Sequence, residues 1–260
     1  MPQVTSHGTG IYYETHGDGP AVVFAHGMGG NALSWWQQVP FFVEQGYRAI
    51  AFDHRGFFRS PCAPDEFHPG RFPDDLLAIL DAEGVERASL VCQSMGGWTG
   101  LPTAIRAPER VSALVLCGTP GGLDTEKTRE ARARLGSRMG SGRVEGNLAL
   151  APDYPRHEPA MAFLYDRLNA LNPGLEPAAL ASFGDETAQV REAQLESYGV
   201  PTRVISGTED QLFSPEVLHD VAARIPGADI VDFPGVGHST YFEAAERFNS
   251  VVLEFLRKHA

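Results

Sequence analysis

Short apolar runs of strand length alternate along this chain with longer amphipathic stretches, and this alternation limits the possible folds more than any other feature. The runs cover residues 21–25, 47–52, 88–92, 111–117, 202–206 and 228–233. They are continuously apolar and rich in β-branched residues, which is typical of strands that are covered on both faces. The stretches with helical character lie at 74–83, 95–107, 215–224 and 244–258. The pattern predicts an α/β fold with a mostly parallel central sheet, helices on both faces and an opening hairpin over residues 3–16.

The alternation stops between residues 121 and 200. This segment has no convincing strand, but it has three predicted helices, at 125–138, 159–170 and 186–198, with breakers at 140–146 and 152–159. A segment of this length is too long to be a simple loop in a compact domain. We therefore predict a core of residues 1–120 and 201–260, with a helical cap of residues 121–200 inserted after the sixth strand.

The charge and composition exclude several classes of partner. The chain has 260 residues, with 33 acidic and 21 basic side chains and a formal net charge of −12. Nucleic acids and anionic membranes select Lys/Arg patches, so neither is expected as a partner. Residues 1–10 lack the pattern of a signal peptide, and no apolar run is long enough to span a membrane. We expect a cytoplasmic protein, monomeric or homodimeric, that acts on a small molecule.

Metals and cofactors are not expected either. The three cysteines lack the spacing of metal ligands and cannot form a disulfide framework, and the histidines form no HxH or HExxH pattern. The glycines after the first buried strand match neither GxGxxG nor GxxxxGK[ST], so nucleotide binding is not predicted.

The segment with the most chemical information is 90–98, Leu-Val-Cys-Gln-Ser-Met-Gly-Gly-Trp. It places Ser94 directly after a predicted strand and before a predicted helix, with Gly96 and Gly97 in the turn. A serine on so sharp a turn needs small neighbours, because a bulky residue two positions away would collide within the turn. The start of the helix also favours a developing negative charge. Taken alone, the segment fits equally well a serine N-cap whose glycines permit close packing of helix and strand.

This segment resembles the nucleophile elbow of the α/β-hydrolase family, with Cys92 in place of the first glycine of the motif. Three further segments resemble elements of the same family. Residues 26–30, His-Gly-Met-Gly-Gly, are similar to its HGxxG oxyanion loop, and residues 205–210 and 234–239 are similar to its acid and histidine loops. The order Ser, Asp, His along the chain is also that of the family.

The resemblance implies a catalytic triad of Ser94, Asp210 and His238. A serine hydroxyl is a weak nucleophile at neutral pH and needs a base, which in turn needs an orienting group. Ser94 would be the nucleophile, His238 the base and Asp210 the orienting acid. Glu209 is the nearest rival acid, but the family pattern of Gly, two residues and Asp matches Asp210.

The resemblance also implies an oxyanion hole formed by the backbone N–H groups of Met28 and Met95. A tetrahedral intermediate places a negative charge on one oxygen, and two such donors stabilise it. Segment 53–60 is similar to the family pattern D-x-R-G-x-G-x-S. We interpret Asp53 and Arg55 in it as structural residues that hold a turn.

Candidate pocket residues are less specific than the triad. Aromatic and methionine side chains that could line a pocket are Trp35, Phe58, Trp98, Met161 and Phe163. Phe58 stands where the family pattern has its second glycine. Further apolar side chains of the predicted cap that could face an acyl or aryl group are Met139, Leu148, Leu164 and Leu168. Core packing explains each of these residues as well as a pocket does.

The expected function is hydrolysis of a carboxylic ester or lactone through an acyl-enzyme intermediate. Three alternatives remain open. The Ser-Met-Gly-Gly elbow and the cap also resemble hydrolases that cleave a C–C bond of a vinylogous diketo-acid ring-cleavage product. Cofactor-free perhydrolysis and a ligand-binding receptor with slow turnover are the other two. Epoxide hydrolase and haloalkane dehalogenase chemistry is disfavoured because those relatives have Asp at the position of Ser94.

Overall fold

The computed structural model describes residues 2–140 and 147–259, with the backbone only for residues 137–140. An eight-stranded sheet lies at its centre, in the order β1-β2-β4-β3-β5-β6-β7-β8. Strands β1 and β2 are antiparallel to their neighbours, and the other strands pair in parallel. The strands are β1 (Gln3–Ser6), β2 (Thr9–His16), β3 (Ala21–Ala25), β4 (Arg48–Phe52), β5 (Ala88–Gln93), β6 (Val111–Cys117), β7 (Thr202–Gly207) and β8 (Asp229–Phe233).

Helices cover both faces of the sheet, and this explains why the inner strands β3, β5 and β6 are mainly apolar and buried at every residue. One core cluster packs α2, α3 and α8 on one face, and a second packs α1 and α10 on the other. Alternate residues of β3 belong to different clusters: Val23 faces the first and Phe24 the second. The helices of the described ranges are α1 (Val39–Glu44), α2 (Phe72–Ala82), α3 (Gly97–Arg106), α4 (Glu126–Gly140), α5 (Tyr154–His157), α6 (Pro159–Asn169), α7 (Pro177–Ala181), α8 (Pro215–Arg224), α9 (Thr240–Glu243) and α10 (Ala245–His259).

The predicted fold class is confirmed, and one predicted helix is wrong. Residues 186–198 form two short 3₁₀ turns, Glu186–Ala188 and Glu192–Leu195, instead of a helix. Between these turns Val190 pairs with the chain after β6: its N–H donates to the Gly122 carbonyl, and its carbonyl accepts from the Asp124 N–H. Because this strand-like bridge uses the N–H and the carbonyl of Val190, these groups are not available for the hydrogen bonds of a continuous helix.

Helices α4 to α7 lie in the segment predicted as a cap. The division into core and cap stays a prediction, and of the predicted breaker at 140–146 all but the first residue lie outside the described residues. None of the helices in the described part of the chain has the length and apolar character that crossing a membrane requires.

Candidate active site

Ser94 lies on a strained turn between β5 and α3. Strand β5 ends at Gln93, a single 3₁₀ turn covers Ser94–Gly96, and α3 begins at Gly97. The φ of Ser94 is +47°, in the left-handed region that residues other than glycine rarely adopt. Packing holds this turn in place, because a Cβ on Gly96 would overlap the Ala25 carbonyl oxygen. The turn leaves Ser94 half-buried at the wall of a large cavity.

Cys92 is accommodated beneath this turn by a glycine of the following helix. A Cβ on Gly100 would lie 2.5 Å from the Cys92 sulfur, so the thiol occupies space that any other residue at position 100 would fill. Cys92 is fully buried, and burial raises the pKa of its thiol. The thiol is therefore neutral, and it is a packing residue at this position.

His238 and Asp210 form a buried hydrogen-bonded pair at the ends of neighbouring strands. His238 Nδ1 donates to Asp210 Oδ2 over 2.8 Å. The other carboxylate oxygen of Asp210 accepts from the N–H groups of Leu212 and Phe213 at 2.8 and 2.9 Å, which fixes its orientation. Glu209, the rival acid in the sequence, is exposed to solvent. Geometry thus places the carboxylate of Asp210, and not that of Glu209, against the histidine.

This pairing determines which nitrogen of His238 can act as a base. With its proton on Nδ1, the neutral ring leaves Nε2 as an acceptor. His238 Nε2 is buried and has no hydrogen-bond partner among the described residues. His238 and Ser94 line the same cavity. An unpartnered basic nitrogen therefore lies at the cavity that the serine hydroxyl also borders.

The loop after β3 approaches the serine turn closely. A Cβ on Gly27 would overlap the Gln93 side chain and lie 3.0 Å from the Ser94 Cβ, so any larger residue here would force the neighbouring side chains to move. His26 supports the loop: its Nδ1 donates to the Gly27 carbonyl over 2.8 Å, and its Nε2 accepts from the His54 N–H over 2.9 Å. Complete burial lowers the pKa of His26 to about 4, so the ring is neutral and suited to both bonds. Met28 follows in this loop and lines the cavity, as does Met95.

Asp53 and Arg55 hold the neighbouring turn, and neither lines this cavity. Asp53 accepts from the Ala32 N–H over 2.7 Å and from Arg59 Nε over 2.8 Å. Arg55 Nε donates to Asp75 over 2.8 Å in a fully buried ion pair. Their contacts fix the loops that flank the cavity.

The cavity has a volume of about 1140 Å³ and a mainly apolar wall. The serine, the histidine and the two methionines line it on the sheet side. Its remaining wall comes largely from the predicted cap and from the residues after Asp210, with side chains that include Leu148, Tyr165, Leu180, Phe183 and Phe213. The volume is somewhat larger than the range of about 300–1,000 Å³ that is typical of pockets for drug-sized ligands.

The predicted pocket residues are mostly wrong. Trp98 lines the cavity, as does Leu148, but Trp35 does not. Trp35 is completely buried and packs against Phe24 and Tyr241, with ring centroids 5.1 and 4.6 Å apart. Its indole is part of the core beneath α10.

The other three predicted pocket residues also lie away from the cavity. Phe58 occupies a turn with φ +29° and stacks under Arg59. Met161 packs against the second core cluster, and so do Leu164 and Leu168. Phe163 is 65% exposed, with Arg167 over its ring. These residues pack within their own helices and turns or are exposed there, and none of them lines the cavity. The side chain of Met139 lies outside the described residues.

Several cavity residues were missed by the sequence analysis. Leu212 and Phe213 come two and three residues after Asp210, and this closeness to the predicted acid was a signal that could have found them. Arg132, Tyr165 and Phe183 carry no such signal. They come from separate helices and turns, and only the packing of these elements brings them to one wall.

A partly buried carboxylate, Glu243 of α9, joins the histidine loop to residues 149–151 by hydrogen bonds. It accepts from the N–H groups of Ala151 and Gly237 at 3.0 and 3.2 Å. The Ser239 N–H donates to the Ala149 carbonyl over 3.1 Å in the same contact. Burial raises the pKa of Glu243 to about 7, although the backbone N–H groups and His238 oppose this rise. The carboxyl therefore titrates in the neutral range.

No group of three or more His, Cys, Asp or Glu side chains in the ranges that the structure describes is arranged to hold a metal ion. Ser94 and His238 bring to the cavity a hydroxyl and an imidazole with a carboxylate behind it, next to the glycine-rich loops that follow two strands.

The family model of the α/β hydrolase fold matches residues 20–245. The chain belongs to the α/β-hydrolase family. The eight-stranded, mostly parallel sheet and the strained serine turn after β5 agree with this membership. The protein is a hydrolase of this family.

The names of its relatives indicate that they hydrolyse different kinds of bond. This α/β hydrolase is 32% identical over 257 residues to RutD of Variovorax paradoxus (strain S110), which is named as a carbamate hydrolase; the match covers 95% of this chain and 96% of the relative. It is 30% identical to a 2-hydroxy-6-oxo-6-phenylhexa-2,4-dienoate hydrolase of Comamonas testosteroni, over 95% and 91% of the two chains. The enol-lactonase of Burkholderia xenovorans LB400 shares its fold with a TM-score of 0.79 at 25% identity, over 98% and 100%.

Proposed function

We propose that this α/β hydrolase cleaves a carboxylic ester or lactone through an acyl-enzyme intermediate on Ser94. The observation that carries the proposal is the buried Asp210–His238 hydrogen bond, which leaves His238 Nε2 unpartnered within the described residues. That nitrogen belongs to the same cavity wall as a serine held at φ +47°. A nucleophile, a base and an orienting acid are the parts that acyl transfer requires.

In acylation, His238 Nε2 takes the proton of the Ser94 hydroxyl as Oγ attacks the substrate carbonyl. Asp210 keeps the ring in the required tautomer and stabilises the imidazolium that forms. The N–H groups of Met28 and Met95 donate hydrogen bonds to the developing oxyanion. The imidazolium then protonates the leaving alcohol. In deacylation, His238 takes a proton from the water that attacks the acyl carbon. The imidazolium then returns that proton to Ser94 Oγ as the C–Oγ bond breaks and the acid is released.

The size and character of the cavity support a bulky, largely apolar substrate. A volume of about 1140 Å³ far exceeds the space that an acetyl group needs. Phe183, Leu180 and Leu148 offer apolar contact surface to an acyl or aryl group. Burial of such a group strengthens binding by about 0.8 kcal/mol for each methylene. We therefore expect kcat/KM to rise with acyl chain length beyond acetate.

Hydrolysis of a C–C bond is the second candidate. The observation that favours it is the 30% identity, over nearly the whole chain, to the dienoate hydrolase of Comamonas testosteroni. The same serine and histidine would serve a vinylogous diketo-acid substrate. That reaction predicts turnover of the diketo-acid and negligible activity on simple esters.

The experiment is a panel of initial rates with the wild-type protein and Ser94→Ala. The panel contains p-nitrophenyl esters from acetate to dodecanoate, several lactones and one ring-cleavage diketo-acid. We expect ester or lactone turnover that falls about 10⁶-fold in kcat in Ser94→Ala. Ser250→Ala, which removes an exposed hydroxyl on α10, is the matched control and should retain full activity. Turnover of the diketo-acid alone would select the second candidate, and unchanged ester turnover by Ser94→Ala would overturn the mechanism.

A further inference from the structure

One cationic side chain, Arg132 of α4, lines the otherwise mainly apolar cavity. Among the described lining residues, the other formally charged side chain is Asp166, which is exposed and accepts a hydrogen bond from Asn147 over 3.0 Å. The chain as a whole has a net charge of −12, so the positive charge of a guanidinium in this wall is opposite in sign to the charge of the protein. The lining of the cavity therefore suits a ligand that is apolar along most of its length and carries a negatively charged group.

The guanidinium of Arg132 is held on one side only. Its Nη2 donates to Asp124 Oδ1 over 2.8 Å, and the Asp124 N–H donates to the Val190 carbonyl over 2.8 Å. Its Nη1 is buried and has no hydrogen-bond partner in the part of the chain that the structure describes. A buried charged donor without an acceptor is unfavourable, and a ligand that supplies an acceptor removes this cost.

The charge of Arg132 is only partly balanced. Arg129 also donates to Asp124, over 2.9 Å, so one carboxylate serves two guanidinium groups. The cluster of Arg129, Arg132 and Asp124 therefore carries a net charge of +1. Arg129 is more than half exposed and is not part of the cavity wall, whereas Arg132 is mostly buried and is. Arg132 therefore places positive charge in the cavity wall.

We infer that Arg132 forms a subsite for a carboxylate of the substrate, so that the ester or lactone carries an anionic group remote from the bond that is cleaved. This inference rests on the proposed function, because it specifies the substrate class of the same cavity. A carboxylate accepts hydrogen bonds from a guanidinium in a planar, charge-assisted geometry. In a mainly apolar cavity such a bond is stronger than it is in water.

The test compares esters that differ only in one charge. The substrates are the p-nitrophenyl monoesters of adipic and suberic acid and the same compounds with the distal carboxylate capped as a methyl ester. The measured quantity is the ratio of kcat/KM for the anionic ester to that for its neutral partner. We expect a ratio above one for the wild-type protein, reduced about ten- to hundredfold in Arg132→Gln, since a charge-assisted hydrogen bond contributes that much. Arg134→Gln, which removes an exposed guanidinium of the same helix that lies outside both the cluster and the cavity wall, is the control and should keep the wild-type ratio.

A ratio that Arg132→Gln leaves unchanged, or that Arg134→Gln reduces equally, would overturn the subsite while ester turnover upholds the proposed function. Direct binding keeps the test decisive if no ester is hydrolysed. Octanoate should bind Ser94→Ala at least tenfold more tightly than Ser94→Ala/Arg132→Gln, as measured by isothermal titration calorimetry. That result without any ester turnover would support the subsite and refute the ester hydrolase. Equal binding by both proteins would refute the subsite.

Discussion

Replacing Glu243 with Gln should change the pH dependence of folding stability in a defined direction. Burial raises the pKa of this carboxyl from 4.5 to about 7, so the folded protein binds its proton more tightly than the unfolded chain does. Its contribution to the free energy of unfolding is therefore complete below pH 4.5 and is lost as the pH rises through 7. A shift of about 2.5 units corresponds to about 3 kcal/mol. Gln at this position does not titrate, so the variant avoids this loss.

The measurement is urea unfolding of both proteins at pH 5, 6, 7 and 8. We expect the free energy of unfolding of the wild type, relative to Glu243→Gln, to fall by about 2.5 kcal/mol from pH 5 to pH 8, the part of the full effect that lies within this pH range. Tyr154, Tyr165 and Tyr241 also lie near Glu243, but burial raises the pKa of each further above this range. His238 interacts electrostatically with Glu243, and the comparison is therefore repeated in a His238→Gln background.

Glu246→Gln is the control, because Glu246 is exposed at the start of α10. Its difference from the wild type should change by less than about 0.5 kcal/mol over the same pH range. A difference for Glu243→Gln that is independent of pH, or that grows in favour of the wild type as the pH rises, would refute the reasoning. It would mean that the hydrogen bonds from the N–H groups of Ala151 and Gly237 lower the pKa of the carboxyl by at least as much as its burial raises it.

Two further predictions concern the acid and the serine turn. Asp210→Asn should lower kcat about 10⁴-fold, because an amide neither fixes the His238 tautomer nor stabilises the imidazolium; ester hydrolysis measures this, and a loss below tenfold would exclude Asp210 as the orienting acid. Gly96→Ala should prevent folding, as its Cβ would overlap the Ala25 carbonyl oxygen. Gly136→Ala, in α4, where no atom of the described residues lies within 4 Å of the added Cβ, should instead raise the free energy of unfolding by about 0.5–1 kcal/mol. Circular dichroism and urea unfolding distinguish the two, and equal stability of both variants would contradict the packing argument.

The sheet was predictable from the sequence because its strands are buried on both faces. Covered strands must be apolar throughout, so their pattern is visible without knowledge of their neighbours. The error at 186–198 has the opposite cause. Val190 bonds to Gly122 and Asp124, far away in the sequence, and a helical pattern does not reveal such a bridge. Helix α1, with six residues and a proline near its start, is too short for its periodicity to be read.

The parts of the candidate site differ in the same way. The loops with Ser94, Asp210 and His238 follow buried strands, and parallel strands bring their carboxyl ends to one edge of the sheet. No comparable rule predicts from the sequence which residues line the cavity wall. Phe183 reaches the cavity, but Phe163, an aromatic residue of the same predicted cap, is 65% exposed. The packing of the helices decides between such residues, and a single sequence does not contain it.

The central claim is that Ser94 is the nucleophile, and covalent labelling tests it most directly. The wild-type protein is treated with a fluorophosphonate, and the modified residue is located by tandem mass spectrometry of its peptides. The account predicts one adduct, on Ser94, that is absent in Ser94→Ala and forms far more slowly in His238→Gln, since the base is lost. An adduct on another residue, or an equal rate of labelling in His238→Gln, would contradict it.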